Sequence, residues 1–514
     1  MTMLKNLKSE PLFVLDIANN HFGDMEHARL IIESFSEIAH EEKVNVAIKF
    51  QYRNLESFIH PLYKDRRDIK YVDRFLSTAL SDEQFLELAS MVKGNKISLA
   101  TTPFDEKSVS LALRADVDVL KIASASCDDH YLLKVVSRAG KPIIASTGGA
   151  NTEEIDQLVS TLELSRQDFA IMHCVAIYPT SDQDLNLRQI SFLNDRYPHV
   201  PIGWSTHEHP DNFDAVKIAA ACGARIFERH IGLDGIKYPQ NAYSSSPEQI
   251  RSWIRSYKQA EDLLGSYEKK PATSEELGTL RSLKRAVFLK QDLAKGHELT
   301  ESDLLLAIPS QENQVLVNHS TIGRKLSAKK SALAPLLNSD LTAEGDSKPF
   351  PLSSVLFQIR GLLSESRTAI NFDAQFELSH HYGINRFREF GTTLITCINR
   401  DYAKKILVQL PRQKHPYHFH KVKEETFQLL WGDLELTLDG KKVVLEPGDT
   451  CLVKPGVWHK FQSLNGAVME EISTTYLVSD SCYEDPKIAE MDPVVRKTKI
   501  PNWQTSFGFV KRLI

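Results

Sequence analysis

Several features that would mark a nucleic-acid-binding, membrane or secreted protein are missing from this chain of 514 residues. The net charge is −5, whereas proteins that bind phosphate backbones usually carry a basic excess. No apolar run approaches the roughly 20 residues that a bilayer-spanning helix needs. The N-terminal sequence has neither the apolar segment nor the cleavage site of a signal peptide. We therefore expect neither a nucleic-acid partner nor a membrane partner.

Cysteine is also scarce, and its spacing shows no paired pattern. The chain has six cysteines, at Cys127, Cys174, Cys222, Cys397, Cys451 and Cys482. They stand far apart and form no Cys-x-x-Cys pair, which is typical of reduced thiols in an intracellular compartment. We expect a cytoplasmic protein.

Eight short apolar runs recur through the first half of the chain, with segments of helical periodicity between them. The runs cover residues 13–18, 46–51, 97–103, 119–124, 142–147, 169–175, 201–206 and 225–231. Strands that alternate with helices predict a parallel sheet. Eight such units predict a closed (β/α)₈ barrel over residues 1–265, with its active site at the carboxyl ends of the strands.

The rest of the chain has room for two smaller domains. Residues 283–345 carry short strands and turns between two polar stretches, which indicates a separate small domain. Residues 366–514 contain short strands separated by Gly-containing turns, which predicts an all-β sandwich or barrel.

Two lysines lie inside predicted strands that are otherwise apolar. Lys49 and Lys121 must either reach the barrel mouth or pair with carboxylates, because an unpaired buried charge is costly. At the mouth they would form an anion site for a phosphate or carboxylate together with nearby hydroxyls, those of Thr102, Ser124, Ser146 and Ser205. The alternative is that each lysine reaches solvent or neutralises a structural acid.

Histidines end the last two predicted strands of the barrel. His207 follows the seventh strand and His230 ends the eighth, so the two imidazoles could share a divalent metal ion. His209 could replace His207, and Glu208 and Glu228 are further candidate groups near this metal site. The alternative for either histidine is an ordinary hydrogen-bonding role.

Asp16 ends the first predicted strand and is the best-placed carboxylate for a base or for orienting water. The alternative is a loop-capping role, since Asn19, Asn20 and His21 follow closely.

Nine short motifs occur in the order found in the sialic acid synthase family, which the chain resembles over about residues 12–265. They are IKFQ (48–51), TTPF (101–104), KIAS (121–124), STGG (146–149), HC (173–174), YPT (178–180), NLR (186–188), GWSTH (203–207) and ERH (228–230). That family condenses phosphoenolpyruvate with a sugar aldehyde to form a 3-deoxy-2-keto sugar acid. Residues 283–345 resemble the antifreeze-like (SAF) domain of these synthases through the segments KGHELTESDL and IGRKLSAKK, and this resemblance implies a small α+β fold.

The resemblance implies roles for individual residues. It places phosphoenolpyruvate on Lys49, Thr102, Lys121, Ser124, Ser146, Asn186 and Ser205. It places a manganese or magnesium ion on His207 and His230, and catalytic carboxylates at Asp16 and Glu228. It also implies a homodimer in which each SAF domain closes over the barrel of the partner.

The sequence departs from this family where the sugar would bind. The positions of a family Asp and His fall on Gln240 and Asn241, and residues 308–310 replace an Arg-Pro-Gly segment. We therefore expect the reaction type to be kept and the aldehyde to differ from N-acetylmannosamine. The alternative is a barrel that has lost catalysis and acts as a sugar-binding or regulatory protein.

The last domain carries a second group of candidate metal ligands. His418, His420, Glu425 and His459 resemble the two-part cupin motif, which implies a divalent metal, with Mn²⁺, Zn²⁺, Fe²⁺ and Ni²⁺ all open. A likeness to sugar-isomerase cupins suggests an isomerase whose base is Glu470 or Glu471. A module that only binds sugar is the alternative.

Overall fold

The computed structural model describes residues 10–267, 269–317, 321–342, 352–371, 373–477 and 479–501, together with Leu4, Leu7 and Trp503. The chain falls into two compact units, residues 1–272 and residues 273–514. The last residues of the predicted SAF-like domain, 343–345, and of the predicted cupin domain, 504–514, lie outside the described residues. We find no helix among the described residues with the length and hydropathy that a bilayer crossing requires.

The first unit contains a closed barrel of eight parallel strands, which confirms the predicted (β/α)₈ fold. The strands are β1 (Leu12–Asp16), β2 (Asn45–Tyr52), β3 (Ser98–Pro103), β4 (Val119–Ile122), β5 (Ile143–Ser146), β6 (Phe169–Cys174), β7 (Ile202–Thr206) and β8 (Ile226–His230). Each strand coincides with one of the eight apolar runs to within two residues at either end.

Helices surround this barrel, and most of them begin with a side-chain cap. They are α1 (Met25–Glu42), α2 (Leu55–Phe58), α3 (Lys70–Ser77), α4 (Asp82–Gly94), α5 (Glu106–Arg114), α6 (His130–Val136), α7 (Thr152–Leu164), α8 (Arg188–Arg196), α9 (Asp214–Ala221) and α10 (Pro247–Leu264). Among the described residues, no side chain caps the start of α3, α8 or α9. Capping boxes start α4, α7 and α10, at Ser81, Asn151 and Ser246. Each box satisfies backbone N–H groups that a helix start leaves unpaired.

Strand alternation divides the barrel interior into an apolar floor and a polar mouth. An apolar cluster fills the floor and includes Val14, Ala47, Ala100, Val119, Ile144 and Met172. Because side chains repeat every second residue along a strand, the next inward positions are Asp16, Lys49, Thr102, Lys121, Ser146 and Cys174. The sequence thus places reactive groups directly above a packed core, on the side where barrels bind substrates.

The second unit begins with α11 (Ser274–Leu283), β9 (Ala286–Leu289) and β10 (Leu304–Ala307). Strands β9 and β10 pair antiparallel. A small apolar cluster packs around them and takes in Val287, Leu289, Leu293, Leu299, Val315, Leu326, Leu336 and Leu341. The division into three domains stays a prediction.

Twelve further strands form two antiparallel sheets after α12 (Leu352–Glu365), with α13 (Pro486–Ala489) near the end. They are β11 (Gln375–His380), β12 (Gly391–Asn399), β13 (Tyr402–Gln409), β14 (His418–His420), β15 (Glu425–Gly432), β16 (Leu434–Leu438), β17 (Lys441–Leu445), β18 (Thr450–Val453), β19 (His459–Gln462), β20 (Ala467–Thr474), β21 (Ser481–Tyr483) and β22 (Lys497–Lys499). The larger sheet has the order β18-β15-β20-β13-β12-β11-β22, and the smaller has the order β17-β16-β19-β14-β21. The predicted all-β fold is therefore confirmed.

Side chains of both sheets share one core, which includes Leu407 and Phe427 from the larger sheet and Leu436 and Phe461 from the smaller. We call the face of each sheet that contributes to this core the cupin interior. The opposite face of the larger sheet packs against α12 through a separate cluster that includes Ile359 and Ile406.

Candidate active site and candidate metal centre

Asp16 and Lys49 form a buried ion pair at the mouth of the barrel. The two residues are register partners on β1 and β2. Lys49 Nζ donates to Asp16 Oδ2 at 2.8 Å and to Thr102 Oγ1 at 3.0 Å. Burial by itself would raise the pKa of Asp16, but Lys49 and His230 outweigh it and lower that pKa below its usual range. Asp16 is therefore an ionised carboxylate facing the site.

A second lysine and carboxylate lie beside this pair. Lys121 Nζ donates to Ser146 Oγ at 2.6 Å and lies 3.5 Å from Glu228 Oε1. Glu228 also accepts from Ser205 Oγ at 3.1 Å and lies 3.8 Å from Lys49 Nζ. Both lysines thus reach the barrel mouth and also neutralise carboxylates. The two roles that the sequence analysis treated as alternatives therefore both apply.

Ser124 lies just after β4, and its position depends on a glycine. Its Oγ accepts from the backbone N–H of Gly148 at 3.0 Å. A Cβ added at Gly148 would lie 2.8 Å from Ser124 Oγ, so the close approach requires glycine here.

Asn186 stands apart from the other predicted phosphoenolpyruvate ligands. Its side chain is exposed, its φ is 48°, and its Nδ2 donates to the carbonyl of Asp184 at 2.9 Å. Within the described ranges, its side chain forms no hydrogen bond with the lysines or hydroxyls of the mouth.

His207 and His230 lie next to each other, with ring centroids 5.4 Å apart. His207 Nδ1 hydrogen-bonds the carbonyl of Val175 at 3.0 Å, which leaves Nε2 as a free lone pair. His230 Nδ1 is buried and has no hydrogen-bond partner among the described residues. Burial lowers the pKa of His207 to about 3, with His230 adding to the effect. Two neutral imidazoles with unused nitrogens fit the donor set of a divalent metal ion.

The neighbouring candidates Glu208 and His209 contact residues outside the candidate metal site. Glu208 is buried and accepts from Arg229 Nη2 at 2.6 Å, while His209 is exposed and lies 3.7 Å from Asp211. Between the two histidines of this loop, the buried His207 is therefore the better candidate ligand.

Two residues at the end of β2 extend the site and were not among the candidates drawn from the sequence: Gln51 lies within the strand and Arg53 directly follows it. Gln51 Nε2 donates to Asp16 Oδ2 at 2.9 Å, and Arg53 Nη2 donates to Gln51 Oε1 at 2.9 Å. The Arg53 guanidinium stacks 3.7 Å from the ring centroid of Phe104 and 4.2 Å from that of Phe75. Because Gln51 stands two residues after Lys49, strand alternation was a signal that could have found it.

Aromatic rings cover the two histidines of the barrel. Tyr178 packs on His207 with ring centroids 4.1 Å apart, and Tyr243 lies 5.4 Å from His230. Tyr178 belongs to one of the nine motifs, whereas nothing in the sequence marked Tyr243.

The residues at the departures from the family hold loops together. Asn241 Nδ2 donates to Asn20 Oδ1 at 3.2 Å, which ties the loop after β8 to the loop after β1. The backbone N–H of Gln240 donates to Asp234 Oδ1 at 3.0 Å. In the second unit, Ser310 Oγ donates to the carbonyl of Arg281 at 3.0 Å.

The four predicted cupin ligands come together in the cupin interior. His418, His420, Glu425 and His459 are all buried and offer ligand atoms that lie within 4.8 Å of one another. Among the residues that the structure describes, they form the one group of three or more His, Cys, Asp or Glu residues with this property. Glu425 comes from the larger sheet, and the histidines come from β14 and β19 of the smaller.

Hydrogen bonds and burial prepare the imidazoles of this cluster as ligands. His418 Nδ1 and His459 Nδ1 each lie 3.1 Å from a backbone carbonyl, so their Nε2 lone pairs face the cluster. Burial lowers the pKa of His418 well below its usual value and that of His420 to about 4. His459 Nε2 and Glu425 Oε1 lie 2.8 Å apart without hydrogen-bond geometry. Such a set of inward-facing donor atoms fits a divalent metal ion.

A chain of paired charges extends from Glu425 along the larger sheet. Lys423 pairs with Glu425, and Lys423 Nζ lies 3.0 Å from Glu471 Oε1. Lys405 Nζ lies 3.3 Å from the same Glu471 oxygen. Glu470 is on the opposite face of β20 and pairs with Lys404 at 2.5 Å. Of the two predicted bases, only Glu471 therefore faces the interior, and two ammonium groups hold it.

Comparisons with known proteins identify the family to which the chain belongs. The NeuB family model matches residues 37–269, and the cupin domain model matches residues 406–472. A crystal structure of a spore coat polysaccharide biosynthesis protein E from Chromobacterium violaceum is 40% identical, with a TM-score of 0.61. That likeness covers 65% of this chain and 100% of that one. The chain belongs to the NeuB family.

Two curated relatives align over the same portion of the chain. An uncharacterized protein of Methanocaldococcus jannaschii is 30% identical, over 63% of this chain and 92% of its own length. The N,N'-diacetyllegionaminic acid synthase of Legionella pneumophila is 27% identical, over 62% of this chain and 91% of its own length. The resemblances stated for the barrel and the cupin domain are confirmed, while the SAF-like domain stays a prediction.

Proposed function

We propose that the barrel catalyses a phosphoenolpyruvate-dependent condensation with a sugar aldehyde, giving a 3-deoxy-2-keto sugar acid of the nonulosonic type. The observation that carries the proposal is the mouth itself, where Lys49 and Lys121 lie among serine and threonine hydroxyls above an apolar floor. Membership of the NeuB family and the name of the Legionella relative support the same reaction.

The proposed phosphoenolpyruvate site uses the ammonium and hydroxyl groups of the mouth. Ammonium groups suit a phosphate or carboxylate because they are compact charges with donors that rotate freely. Lys49 and Lys121 would bind the charged oxygens, together with hydroxyls and an amide from Thr102, Ser124, Ser146, Asn186 and Ser205. Asn186 would have to turn away from the Asp184 carbonyl to take part.

His207 and His230 would hold a manganese or magnesium ion beside this site. Such an ion supplies Lewis acidity that polarises a carbonyl oxygen. The chain's own residues hold the imidazoles in place, since Val175 fixes the tautomer of His207 and Tyr178 and Tyr243 cover both rings.

In the proposed reaction, C3 of phosphoenolpyruvate forms a bond to the aldehyde carbon, and water adds at C2. One proton of the water goes to the former aldehyde oxygen, which becomes a hydroxyl group. The C2–O bond to phosphate then breaks, the added hydroxyl becomes the C2 ketone as its proton passes to the phosphate, and inorganic phosphate leaves. Asp16 is an ionised carboxylate at this mouth, and its lowered pKa makes it a weak base, so we propose that it orients the attacking water. Glu228 is held by Lys121 and Ser205 and would position the two lysines for the anion.

The aldehyde is proposed to differ from N-acetylmannosamine. Gln240 and Asn241 replace the two residues expected in the family and bond within the loops after β1 and β8. The residues that would contact phosphoenolpyruvate keep the family types, so the difference falls on the sugar.

The test is phosphate release from phosphoenolpyruvate over a panel of aldoses with Mn²⁺ or Mg²⁺. We expect Lys121→Met to lower activity about tenfold to about 100-fold, because a hydrogen bond to a charged group is worth roughly 1.5–3 kcal/mol. Lys141→Met is the matched control, since Lys141 pairs with Asp116 on the surface. No phosphate release with any aldose would contradict the proposal and favour the sugar-binding or regulatory alternative.

We also propose that the cupin cluster binds a divalent metal and that the cupin domain binds sugar rather than isomerising it. Glu470 faces away from the cluster, and Glu471 is held by Lys405 and Lys423, which keeps it ionised and makes it a weak base. An isomerase would let a ketose replace the aldose in the phosphate-release assay, and His418→Ala/His420→Ala would abolish that replacement. We expect no such replacement in the unchanged protein.

The predicted homodimer and the cytoplasmic location remain proposals. Static light scattering of the full chain measures its oligomeric state. A dimer is expected from the family resemblance, and a monomer would show that a partner barrel is not closed by the SAF-like region.

A further inference from the structure

A cavity opens in the cupin domain, away from the predicted metal ligands. Its volume is about 760 Å³, which falls in the range of roughly 300–1,000 Å³ typical of small-molecule sites. Polar groups supply about half of its lining surface and include Asp373, Glu377, Asn399, Tyr476, Lys497 and Lys499.

Strand register places this cavity on the cupin interior. Residues directly opposite each other in antiparallel strands point to the same face of the sheet. Glu471 is opposite Lys405, Lys405 is opposite Thr396, and Thr396 is opposite Gln375. Thr396 and Gln375 line the cavity, so the cavity and the metal cluster share one face of the larger sheet.

Direct contacts join the cavity to the chain of paired charges. Lys405 Nζ lies 3.6 Å from the centroid of the Tyr476 ring, which stands between Lys405 and the cavity. Lys497 Nζ donates to Tyr476 Oη at 2.5 Å and to Glu377 Oε1 at 2.6 Å. The polar interior is therefore continuous from Glu425 to the cavity wall.

The chemistry of the lining selects against a charged ligand. Asp373 and Glu377 balance the charges of Lys497 and Lys499, and Lys497 is already paired. An anion would face two carboxylates, and a cation would face two ammonium groups. Carboxylate, amide and phenol groups together offer both donors and acceptors, which is what neighbouring hydroxyl groups require.

Apolar surface makes up nearly half of the lining. Ile398, Pro493 and Val494 contribute it, and the C–H faces of a sugar ring would pack there.

We propose that this cavity binds a neutral polyhydroxylated ligand, a free monosaccharide. The inference rests on the sugar-binding role proposed for the cupin domain and assigns that role to a particular site. It does not depend on the condensation proposed for the barrel.

The test is calorimetric titration of the full chain carrying His207→Ala/His230→Ala, which weakens sugar binding by the barrel. The probes are D-mannose, N-acetyl-D-mannosamine and D-xylose, with gluconate and mannose 6-phosphate as charged counterparts. We expect at least one neutral sugar to bind more tightly than either charged probe. Glu377→Gln should then weaken its binding at least tenfold.

Two further variants make the outcome decisive. Asp373 is exposed, so Asp373→Asn tests the cavity with little risk to folding and should also weaken binding. Glu435→Gln is the matched control, because Glu435 pairs with Lys442 at 3.1 Å on the smaller sheet and lies outside the cavity lining. The proposal is overturned if no neutral sugar binds, if a charged probe binds more tightly, or if Glu377→Gln and Asp373→Asn bind like the control.

Measuring the metal content of the same variants distinguishes sugar binding in the cavity from metal binding by the cupin cluster. We expect Glu377→Gln and Asp373→Asn to retain the cupin metal while losing sugar affinity. Sugar binding that depends only on the histidine cluster would overturn the assignment to the cavity.

Discussion

One hydrogen atom at position 148 sets the shape of the proposed phosphoenolpyruvate site. A Cβ there would lie 2.8 Å from Ser124 Oγ and 3.2 Å from the carbonyl of Cys174. We expect Gly148→Ala to displace Ser124 and to raise the KM for phosphoenolpyruvate by about tenfold, equivalent to one hydrogen bond of roughly 1.4 kcal/mol. Steady-state phosphate release measures the effect.

A glycine in open space provides the control for this substitution. Gly278 lies in α11 with no atom near an added Cβ, so Gly278→Ala should leave the KM unchanged. An unchanged KM in Gly148→Ala would show that Ser124 does not contact the substrate.

A buried histidine close to the mouth makes stability depend on pH. Burial lowers the pKa of His21 to about 4, below its ordinary value of 6.5. Between these values the unfolded chain binds the proton and the folded chain does not, so stability falls as the pH drops from about 6.5 to about 4.

We expect His21 to lower the free energy of unfolding by up to about 1.4 kcal/mol for each pH unit of acidification in that window. His21→Asn keeps an acceptor for the Gly23 N–H, which His21 Nδ1 binds at 3.1 Å. Calorimetry at about pH 7 and about pH 5 should show a smaller loss of Tm in His21→Asn than in the unchanged protein. An equal loss in both proteins would contradict the prediction.

At the scale of secondary-structure elements, a buried ion pair fixes the loop that carries His207. Arg229 in β8 donates to Glu208 at 2.6 Å and to the carbonyl of Pro210 at 3.1 Å. We expect Arg229→Met to lower the free energy of unfolding by about 3–5 kcal/mol, because it leaves a buried carboxylate unpaired. Urea unfolding measures the loss.

The double variant Arg229→Met/Glu208→Gln tests the cause. It removes the unpaired charge, so it should be less destabilised than Arg229→Met alone. A larger loss in the double variant would mean that the guanidinium acts mainly through its packing on Trp253, from whose ring centroid it lies 5.1 Å.

The barrel strands and the cupin cluster could be predicted because their signals are local. Apolar runs mark the strands, and Lys49 and His230 stand out because polar groups are costly inside such runs. The pairing of Lys49 with Asp16 and of Lys121 with Glu228 joins residues far apart in sequence, so only the fold reveals it.

Other features depend on which face of a strand turns inward. Glu470 and Glu471 are indistinguishable in sequence, yet only Glu471 faces the cupin interior. The cavity beside Tyr476 was not predicted, because its lining comes from β11, β12, β22, the segments that flank them and the segment after β20.

For the whole molecule, two candidate metal centres in separate units imply two separable metal equivalents. We expect the full chain to bind two Mn²⁺ ions per chain and His418→Ala/His420→Ala to bind one, measured by equilibrium dialysis and elemental analysis. Saturation at about 100 times Kd adds about 2.7 kcal/mol to the stability of a folded site, so chelation should lower the Tm.

An exposed histidine supplies the control for this stoichiometry. His209→Ala should retain both equivalents, because His209 is exposed and belongs to neither group of candidate ligands. Equal metal content in all three proteins would contradict the assignment of the cupin cluster.

The pairing of Lys49 with Asp16 and of Lys121 near Glu228 has a kinetic consequence. Two cations beside two anions nearly cancel far from the mouth, and the two positive charges of a divalent ion on His207 and His230 would stand against a chain charge of −5. Incoming phosphoenolpyruvate therefore meets little electrostatic steering, and its capture depends mainly on short-range contacts. Raising ionic strength from about 20 mM to about 200 mM shortens the Debye length about threefold, yet we expect kcat/KM for phosphoenolpyruvate to change less than about twofold.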